Sequence, residues 1–382
     1  MSAERHIAFL TGTRADFGKI KALILVAHEN RVRVSVIATG MHMQERFGNT
    51  VLEISRSIPA AVEIYSFQNH SDNDTMDRVV ANTIANISNF LDSHAPDALV
   101  VHGDRPEALA GAISGALRNT PVIHIEGGEL SGTIDGVIRH AVSKLSHIHL
   151  VSNDEARTRL IQLGEQAESI HVIGSPDIDV MSSPDLPDLS TVRERYDIKF
   201  DPYAIAIFHP VTTDPAASKE AASQFVDALI ESDKNFVVIH PNNDTGFEHI
   251  LEQYSRLQCE PERFRCFESL RFEYFLTLLK NAEVIVGNSS AGIREAPFYG
   301  VPAIDVGDRQ RGRHDDPNII SVPADASAIV KALRTAERKR SMSSTQTFGD
   351  GKSALRFAEL LDSDVFFATP TDKVFVDLKE IM

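Results

Sequence analysis

The chain has 382 residues, 42% of them hydrophobic and 24% charged, which is the composition of a folded chain long enough for two cores of roughly 150 to 200 residues each. A formal net charge of −16 excludes an extended nucleic-acid groove or an anionic-membrane face, so any anion site must be local. No apolar run reaches the ~18 residues of a membrane span, MSAERHIAFLTGTR carries no signal-peptide core, and Cys259 and Cys266 lack disulfide or zinc spacing, so reduced thiols and a cytoplasmic location are expected.

In chain order, HIAFL (6–10), RVSVIAT (33–39), DALVVHG (97–103), PVIHIE (121–126), HIHLVS (147–152) and HVIG (171–174) are short Val/Ile-rich runs separated by amphipathic stretches. They predict parallel strands covered on both faces by helices. GSPDIDVMSSPDLPDLS (174–190), rich in proline, serine and aspartate, reads as a linker. Beyond it YAIAIF (203–208), NFVVIH (235–240), EVIVG (283–287) and PAIDV (302–306) repeat the alternation. The predicted class is α/β, with two Rossmann-like parallel-sheet domains facing across a cleft. Residues 1–175 form the N-terminal domain, 176–362 the C-terminal domain, and 363–382 a tail returning to the first.

In such sheets ligands bind beyond the carboxyl ends of the strands, so the loops leaving each run are the ones to inspect. TGTRADFGKIK (11–21) is a glycine turn opening a helix, and Arg14 and Lys19 add cations where the helix dipole already favours an anion. After DALVVHG, Asp104 and Arg105 precede Pro106 at a first helical position; Asp104 can cap that helix, present a carboxylate to a ligand, or do both. HIEGGELSGTIDGVIRH (124–140) sends His124, Glu126 and Glu129 out on the same side. Its glycines 127, 128 and 132 allow a tight bend, Thr133 can cap a helix whose first turn holds Asp135, and Arg139 and His140 follow. A solvated turn is the plain alternative.

In the second half, FHPVTT (208–213) and IHPNNDTG (239–246) end strands with His209 and Asn242, which could equally be ordinary loop groups. VIVGNSSAGIREAPFYGVP (284–302) stops a strand at Gly287, and Asn288, Ser289 and Ser290 then open a helix whose N–H groups suit a phosphate. Glu295, one to two turns on, suits ribose hydroxyls, and GDRQRGRH (307–314) adds Arg309, Arg311 and Arg313. GDGKS (349–353) has glutamine at 346 where a Walker A motif needs glycine, and reads as a helix start.

TGTRADFGK, ATGMHM, VHGDR, HIEGGELSGTID, IRH, KLSHIHLV, IGSPD, FHPVTT, PNNDTG, GNSSAGIREAP and YGVPAIDVG together resemble the hydrolysing UDP-N-acetylglucosamine 2-epimerases of bacterial sialic-acid biosynthesis, in order over residues of about 10 to 310. The resemblance implies a glycosyltransferase-B-like fold, UDP-N-acetylglucosamine as substrate, and N-acetylmannosamine and UDP as products. It implies nucleotide contacts from Arg14, Arg105, His209, Asn242, Ser289, Ser290, Glu295 and Arg309, and sugar chemistry from Asp104, Glu126 and Asp135 with Arg139 as orienting partner. Lys19, His124 and Glu129 complete the expected substrate-binding set. Non-hydrolysing members typically show GTRPE and HVEAGLRT where this chain has GTRAD and HIEGGELSGT, a change that introduces Glu129. Asp308, His240 and Gly136 depart from the usual threonine, aromatic residue and second acid.

Carbon 2 of an N-acetylhexosamine has no carbonyl beside it, and a carboxylate with a reference pKa near ~4 is too weak to deprotonate it unaided. If UDP leaves first, oxocarbenium character acidifies that bond; elimination gives a glycal, and a second acid protonates the opposite face as water adds at carbon 1. One ionised and one protonated carboxyl are therefore required, which explains acids clustered at strand ends. Arginines and helix dipoles can neutralise the diphosphate, so no metal and no cofactor are expected. A homodimer or homotetramer is implied by the resemblance, with no nucleic-acid or membrane partner. The alternatives are the same chemistry on a UDP- or GDP-linked 2,4-diacetamido-trideoxyhexose of the legionaminic-acid route, a glycosyltransferase of the same fold, and a silent nucleotide-sugar binder. Retaining glycosyltransferases often carry a glutamate eight residues before the ribose-binding one, and position 287 here is glycine.

Overall fold

The computed structural model describes residues 5–45, 48–70, 75–131, 134–211, 215–242, 244–336 and 344–377. They divide into two units, one drawn from 1–129, 135–182 and 347–382, the other from 183–346 with the short 130–134 segment.

The first unit holds seven parallel strands: β1 (His6–Thr11), β2 (Arg33–Ala38), β3 (Glu63–Ser66), β4 (Ala98–His102), β5 (Val122–Ile125), β6 (Ile148–Val151) and β7 (Ile170–Val172). Their order is β3-β2-β1-β4-β5-β6-β7, the doubly wound arrangement in which strand order reverses beside β1 and β4. All six residues of β1 are buried, because helices cover the sheet on both faces. One of them, Pro106–Leu117, lies so close that a Cβ at Gly115 would stand 2.4 Å from the Val122 side chain, so only glycine fits there.

The second unit has β8 (Ala204–Ile207), β9 (Phe236–Ile239), β10 (Phe264–Phe267), β11 (Ile285–Gly287), β12 (Ala303–Val306) and β13 (Ile319–Val322) in the order β10-β9-β8-β11-β12-β13, also parallel. Each unit builds its own core, one around Ile7, Phe9, Ile20, Val36 and Ile123 and the other around Ala206, Phe225, Phe236, Val286 and Leu333.

Strands β3, β10 and β13 are not among the predicted runs. All three are sheet edges with partly exposed residues, so EIYS, FRCF and IISV lack the uniform apolar content of a central strand. The expected linker also differs. Residues Pro176–Met181 are helical, with Pro176, Asp177, Ile178 and Met181 buried in the first unit, so the chain leaves that unit after Ser182 instead of at residue 175. It comes back at Thr347 instead of 363. Phe357 and Leu361 of helix Ser353–Leu361, and then Phe366, fill the first core beside Phe9, which is why this stretch cannot belong to the second domain. GDGKS is indeed a helix start, and its free N–H groups are already taken: Asp179 accepts from Ser353 N at 2.9 Å and Ala354 N at 2.8 Å. No described helix is long and apolar enough to cross a membrane.

Candidate active site

In the first unit the site begins where β1 turns into helix Arg14–Glu29. Thr13 caps the helix by accepting from Asp16 N at 3.1 Å, and the Asp16 carboxylate reaches back to Gly12 N at 3.0 Å, a reciprocal lock on the turn. The other Asp16 oxygen lies 2.6 Å from Nδ1 of His102, the last residue of β4. His102 Nε2 stands 3.3 Å from Glu126 Oε2, an ion-pair contact outside good hydrogen-bond alignment. Burial disfavours a charged ring, but Glu126 and Asp16 outweigh it and raise the His102 pKa to about 9. Burial likewise opposes ionisation of Asp16, and the His102 hydrogen bond overcomes it, so its pKa falls below the ordinary value.

Glu126 follows β5 in a left-handed conformation, φ +63°, which costs an L-residue with a Cβ about 1–2 kcal/mol. The bend turns its backbone carbonyl towards Arg139 Nη1, 2.7 Å away, while Ser175 Oγ donates to its carboxylate. Arg139, 1% exposed, also donates through Nη2 to Asp104. One guanidinium thus ties Asp104 to the Glu126 backbone. Asp104 does not cap the following helix: Arg105 occupies the cap position, with no capping bond from its side chain, and Pro106 is the first helical residue. Asp135 is half-buried in the first turn of helix Ile134–Leu145, one turn before Arg139. Gly132 and Thr133 lie outside the described residues.

Other expected ligands also have partners within the fold. His124 is fully buried, its Nε2 2.9 Å from the Gly103 carbonyl and its Nδ1 3.0 Å from Ser143 Oγ; burial lowers its pKa to about 3. A neutral ring donating to Gly103 shapes the loop that carries Asp104. Lys19 is also buried, with Nζ 3.1 Å from Asp177, which joins its helix to Pro176–Met181. Glu129 is buried and accepts from Ser152 Oγ at 2.9 Å. Arg14 pairs with Glu53 at 2.8 Å and Arg105 with Glu107 at 3.2 Å.

In the second unit the centre is Asn288. Its side chain brackets His209, accepting from the backbone N at 2.6 Å and donating to the carbonyl at 2.9 Å. Its own carbonyl accepts from Gln310 Nε2 at 3.0 Å and Arg309 Nη1 at 3.4 Å. The loops after β8, β11 and β12 are therefore joined through one buried amide. The preceding Gly287 has φ +141°, and a Cβ there would stand 1.7 Å from the Ile207 carbonyl oxygen. His209 Nδ1 accepts from Asn242 N at 3.0 Å, which leaves the proton of a neutral ring on Nε2. Asn242 Nδ2 in turn donates to Asp244 at 2.5 Å.

The helix expected after Gly287 is shorter than the pattern implies. Ser289 caps a single 3-10 turn, Ser290–Gly292, by accepting from Ala291 N at 3.3 Å, and a four-residue helix, Glu295–Phe298, follows. Pro297 and the glycines at 292 and 300 forbid a longer one. Glu295 is buried at the first position of that short helix, not one to two turns into a long one. The Asp308 carboxylate is 84% exposed and pairs loosely with Arg311, so it faces solvent. Buried Asp305, by contrast, is pushed up to about 7 by desolvation and by the Asp308 charge, against the opposing pull of Arg309.

The structure thus brings Asp104, Glu126 and Arg139 together, and separately His209, Asn242 and Arg309 around Asn288. Sequence reasoning missed Asp16, His102, Ser175 and Gln310. A polar residue on the last position of a buried strand, as in VHGD, is the signal that marks His102.

A family model described as UDP-N-acetylglucosamine 2-epimerase matches residues 25–362. The chain is 47% identical over 378 residues to the UDP-N-acetylglucosamine 2-epimerase of Neisseria meningitidis serogroup B, covering 98% of this chain and 99% of that one. It is 32% identical over 362 residues, covering 94% and 95%, to the UDP-N,N'-diacetylbacillosamine 2-epimerase (hydrolyzing) of Legionella pneumophila. The crystal structure of Methanocaldococcus jannaschii UDP-GlcNAc 2-epimerase in complex with UDP-GlcNAc and UDP shares the fold, with a TM-score of 0.79 at 21% identity, covering 93% of this chain and 99% of that one. With carboxylates gathered at the strand ends of one unit, an Asn288-centred loop cluster in the other and a family match through nearly the whole length, the chain belongs to the UDP-N-acetylglucosamine 2-epimerase family.

Proposed function

We propose that the protein is a hydrolysing 2-epimerase that converts UDP-N-acetylglucosamine and water into N-acetylmannosamine and UDP for sialic-acid biosynthesis. The observation that carries this reading is the cluster in which Arg139 bonds both Asp104 and the Glu126 backbone, with Asp135 one turn away. It supplies the several carboxyl groups that removal and return of a proton at carbon 2 require. Asp104 and Glu126 act as the acid–base pair and Asp135 tunes or orients them. Arg14, Arg105 and Arg309 neutralise the diphosphate as the carbon 1–oxygen bond breaks, Ser289 and Ser290 bind its oxygens, and Glu295 receives the ribose. Electrons from the carbon 2–hydrogen bond form the double bond of the glycal as UDP leaves, and water then adds at carbon 1 with protonation at carbon 2.

Hydrolysis over simple epimerisation is supported by GTRAD and HIEGGELSGT, and by the word hydrolyzing in the name of the Legionella relative. The higher identity to the Neisseria enzyme favours UDP-N-acetylglucosamine over a diacetamido sugar. Incubation with UDP-N-acetylglucosamine in heavy water, followed by NMR, tests both points. Free N-acetylmannosamine deuterated at carbon 2, with liberated UDP, is expected without added divalent metal. Retained hydrogen at carbon 2 refutes the elimination, and UDP-linked product refutes the hydrolysis.

A further inference from the structure

Behind the Glu126 carboxylate stands a group to which the mechanism above gives no part. His102 is 9% exposed at its side chain, wedged between Asp16 Oδ1 at 2.6 Å and Glu126 Oε2 at 3.3 Å. Asp16 is held in turn by Gly12 N and by its place in a capped first helical turn. Each member sits on a rigid element, at a strand end or a helix start. Burying three ionisable groups costs several kcal/mol unless their charges match, so a site needing only bulk would hold apolar residues. Here one imidazole stands between two carboxyl groups, so a cation on it offsets an acid on either side.

We propose that His102, oriented by Asp16, is a positioning residue that keeps Glu126 ionised and aimed, so that Glu126 begins the reaction as the base that takes the carbon 2 proton. This rests on the reading of Glu126 as one of the acid–base pair, and deepens it by assigning its side of the exchange. Protonation of carbon 2 then falls to another carboxyl of the cluster. Among the described residues, charged groups around these three include Arg139, which donates to the Glu126 carbonyl, Asp104, its partner, and Glu107, Arg14 and Arg105 beside Gly12 and His42. His124 and His42 are held neutral by burial, with pKa values lowered to about 3 and about 4.

The test compares pH profiles of UDP release by wild type, His102→Gln, Asp16→Asn and Glu126→Gln. Loss of the cation raises the carboxyl pKa, so the acidic limb of kcat/KM moves to higher pH in His102→Gln, by about 1–2 units, as a charge within ~4–6 Å commands. kcat falls while KM changes less than about 3-fold, and Asp16→Asn shifts the limb the same way by less. NMR of 15N-histidine-labelled wild type reads the ring directly and is independent of how the variants fold; the His102 imidazolium persists to about pH 9. A limb that stays put in both variants while Glu126→Gln is inactive, or a His102 ring neutral at pH 7, overturns the inference alone. An active Glu126→Gln overturns the underlying reading of Glu126 and the inference with it.

Discussion

The buried pair Lys19–Asp177 offers a test of whether a cation near a helix start serves a ligand or the fold. At 3.1 Å, with Lys19 9% and Asp177 0% exposed, its Coulomb term is about 5 kcal/mol at an effective dielectric constant near ~20, offset by the cost of desolvating both charges. Lys19→Met leaves the carboxylate behind without its ammonium and is expected to cost the first unit about 3–5 kcal/mol. Asp177→Asn made together with it restores all but about 1 kcal/mol, so the double-mutant cycle shows a coupling of about 2–4 kcal/mol plus whatever Asp177→Asn costs alone. With two units in the chain a global transition does not isolate this effect. Native-state hydrogen exchange of the amides in helix Arg14–Glu29 does, because it reports opening of that element. UDP affinity of the double variant is expected within about 3-fold of wild type. A coupling below about 0.5 kcal/mol refutes the packing argument, and a loss of UDP affinity beyond about 10-fold returns Lys19 to the anion seat.

Arg139→Met, keeping bulk but losing both hydrogen bonds, is expected to destabilise the first unit by about 2–4 kcal/mol and to abolish turnover; exchange rates in helix Ile134–Leu145 check the first and UDP release the second. Stability of the first unit should peak near neutrality. The folded pKa of His124, lowered to about 3, makes its contribution complete above ~6.5 and lost as pH falls towards 3; the His102 value, raised to about 9, makes its contribution complete below ~6.5 and lost as pH rises through 9. Melting curves across pH should trace this dome, and His124→Gln should flatten its acidic side. In the second unit Asp305, raised to about 7, is protonated in the fold while its unfolded counterpart ionises above ~4, so it destabilises at neutral pH. Asp305→Asn is expected to stabilise that unit by up to about 4 kcal/mol at pH 7 and by nothing below pH ~4, measured by urea unfolding at both values.

Central strands were legible because burial on both faces demands near-continuous apolar runs, as in ALVVH and VIHI, each with a single histidine. Three of the four edge strands were not, since an edge tolerates Glu63, Arg265 or Ser321; the fourth, β7, was expected from HVIG. The loops that carry chemistry could be located from strand ends, and Asp104, Glu126 and Arg139 do converge there. What a linear pattern could not show was the direction of each side chain. His124 and His102 lie near the ends of adjacent strands, but His124 pairs with Val101 and His102 with Ile125, so they point to opposite faces, one a neutral strut beneath a loop and the other a cation between two acids. The distinction depends on partners 19 and 86 residues away in sequence, Ser143 and Asp16. The partner of Lys19 was hidden for the same reason, because Asp177 lies 158 residues downstream.

The double crossing between units has a consequence for biosynthesis. Residues 183–346 contain all the strands of the second sheet and can close their core as soon as they emerge from the ribosome. The first sheet is complete much earlier, yet a patch beside Phe9 and Ile24 stays bare until Phe357, Leu361 and Phe366 arrive. The half of the molecule that is translated first is thus finished last, and a nascent chain halted near residue 346 presents that greasy patch to chaperones while its downstream half is already native.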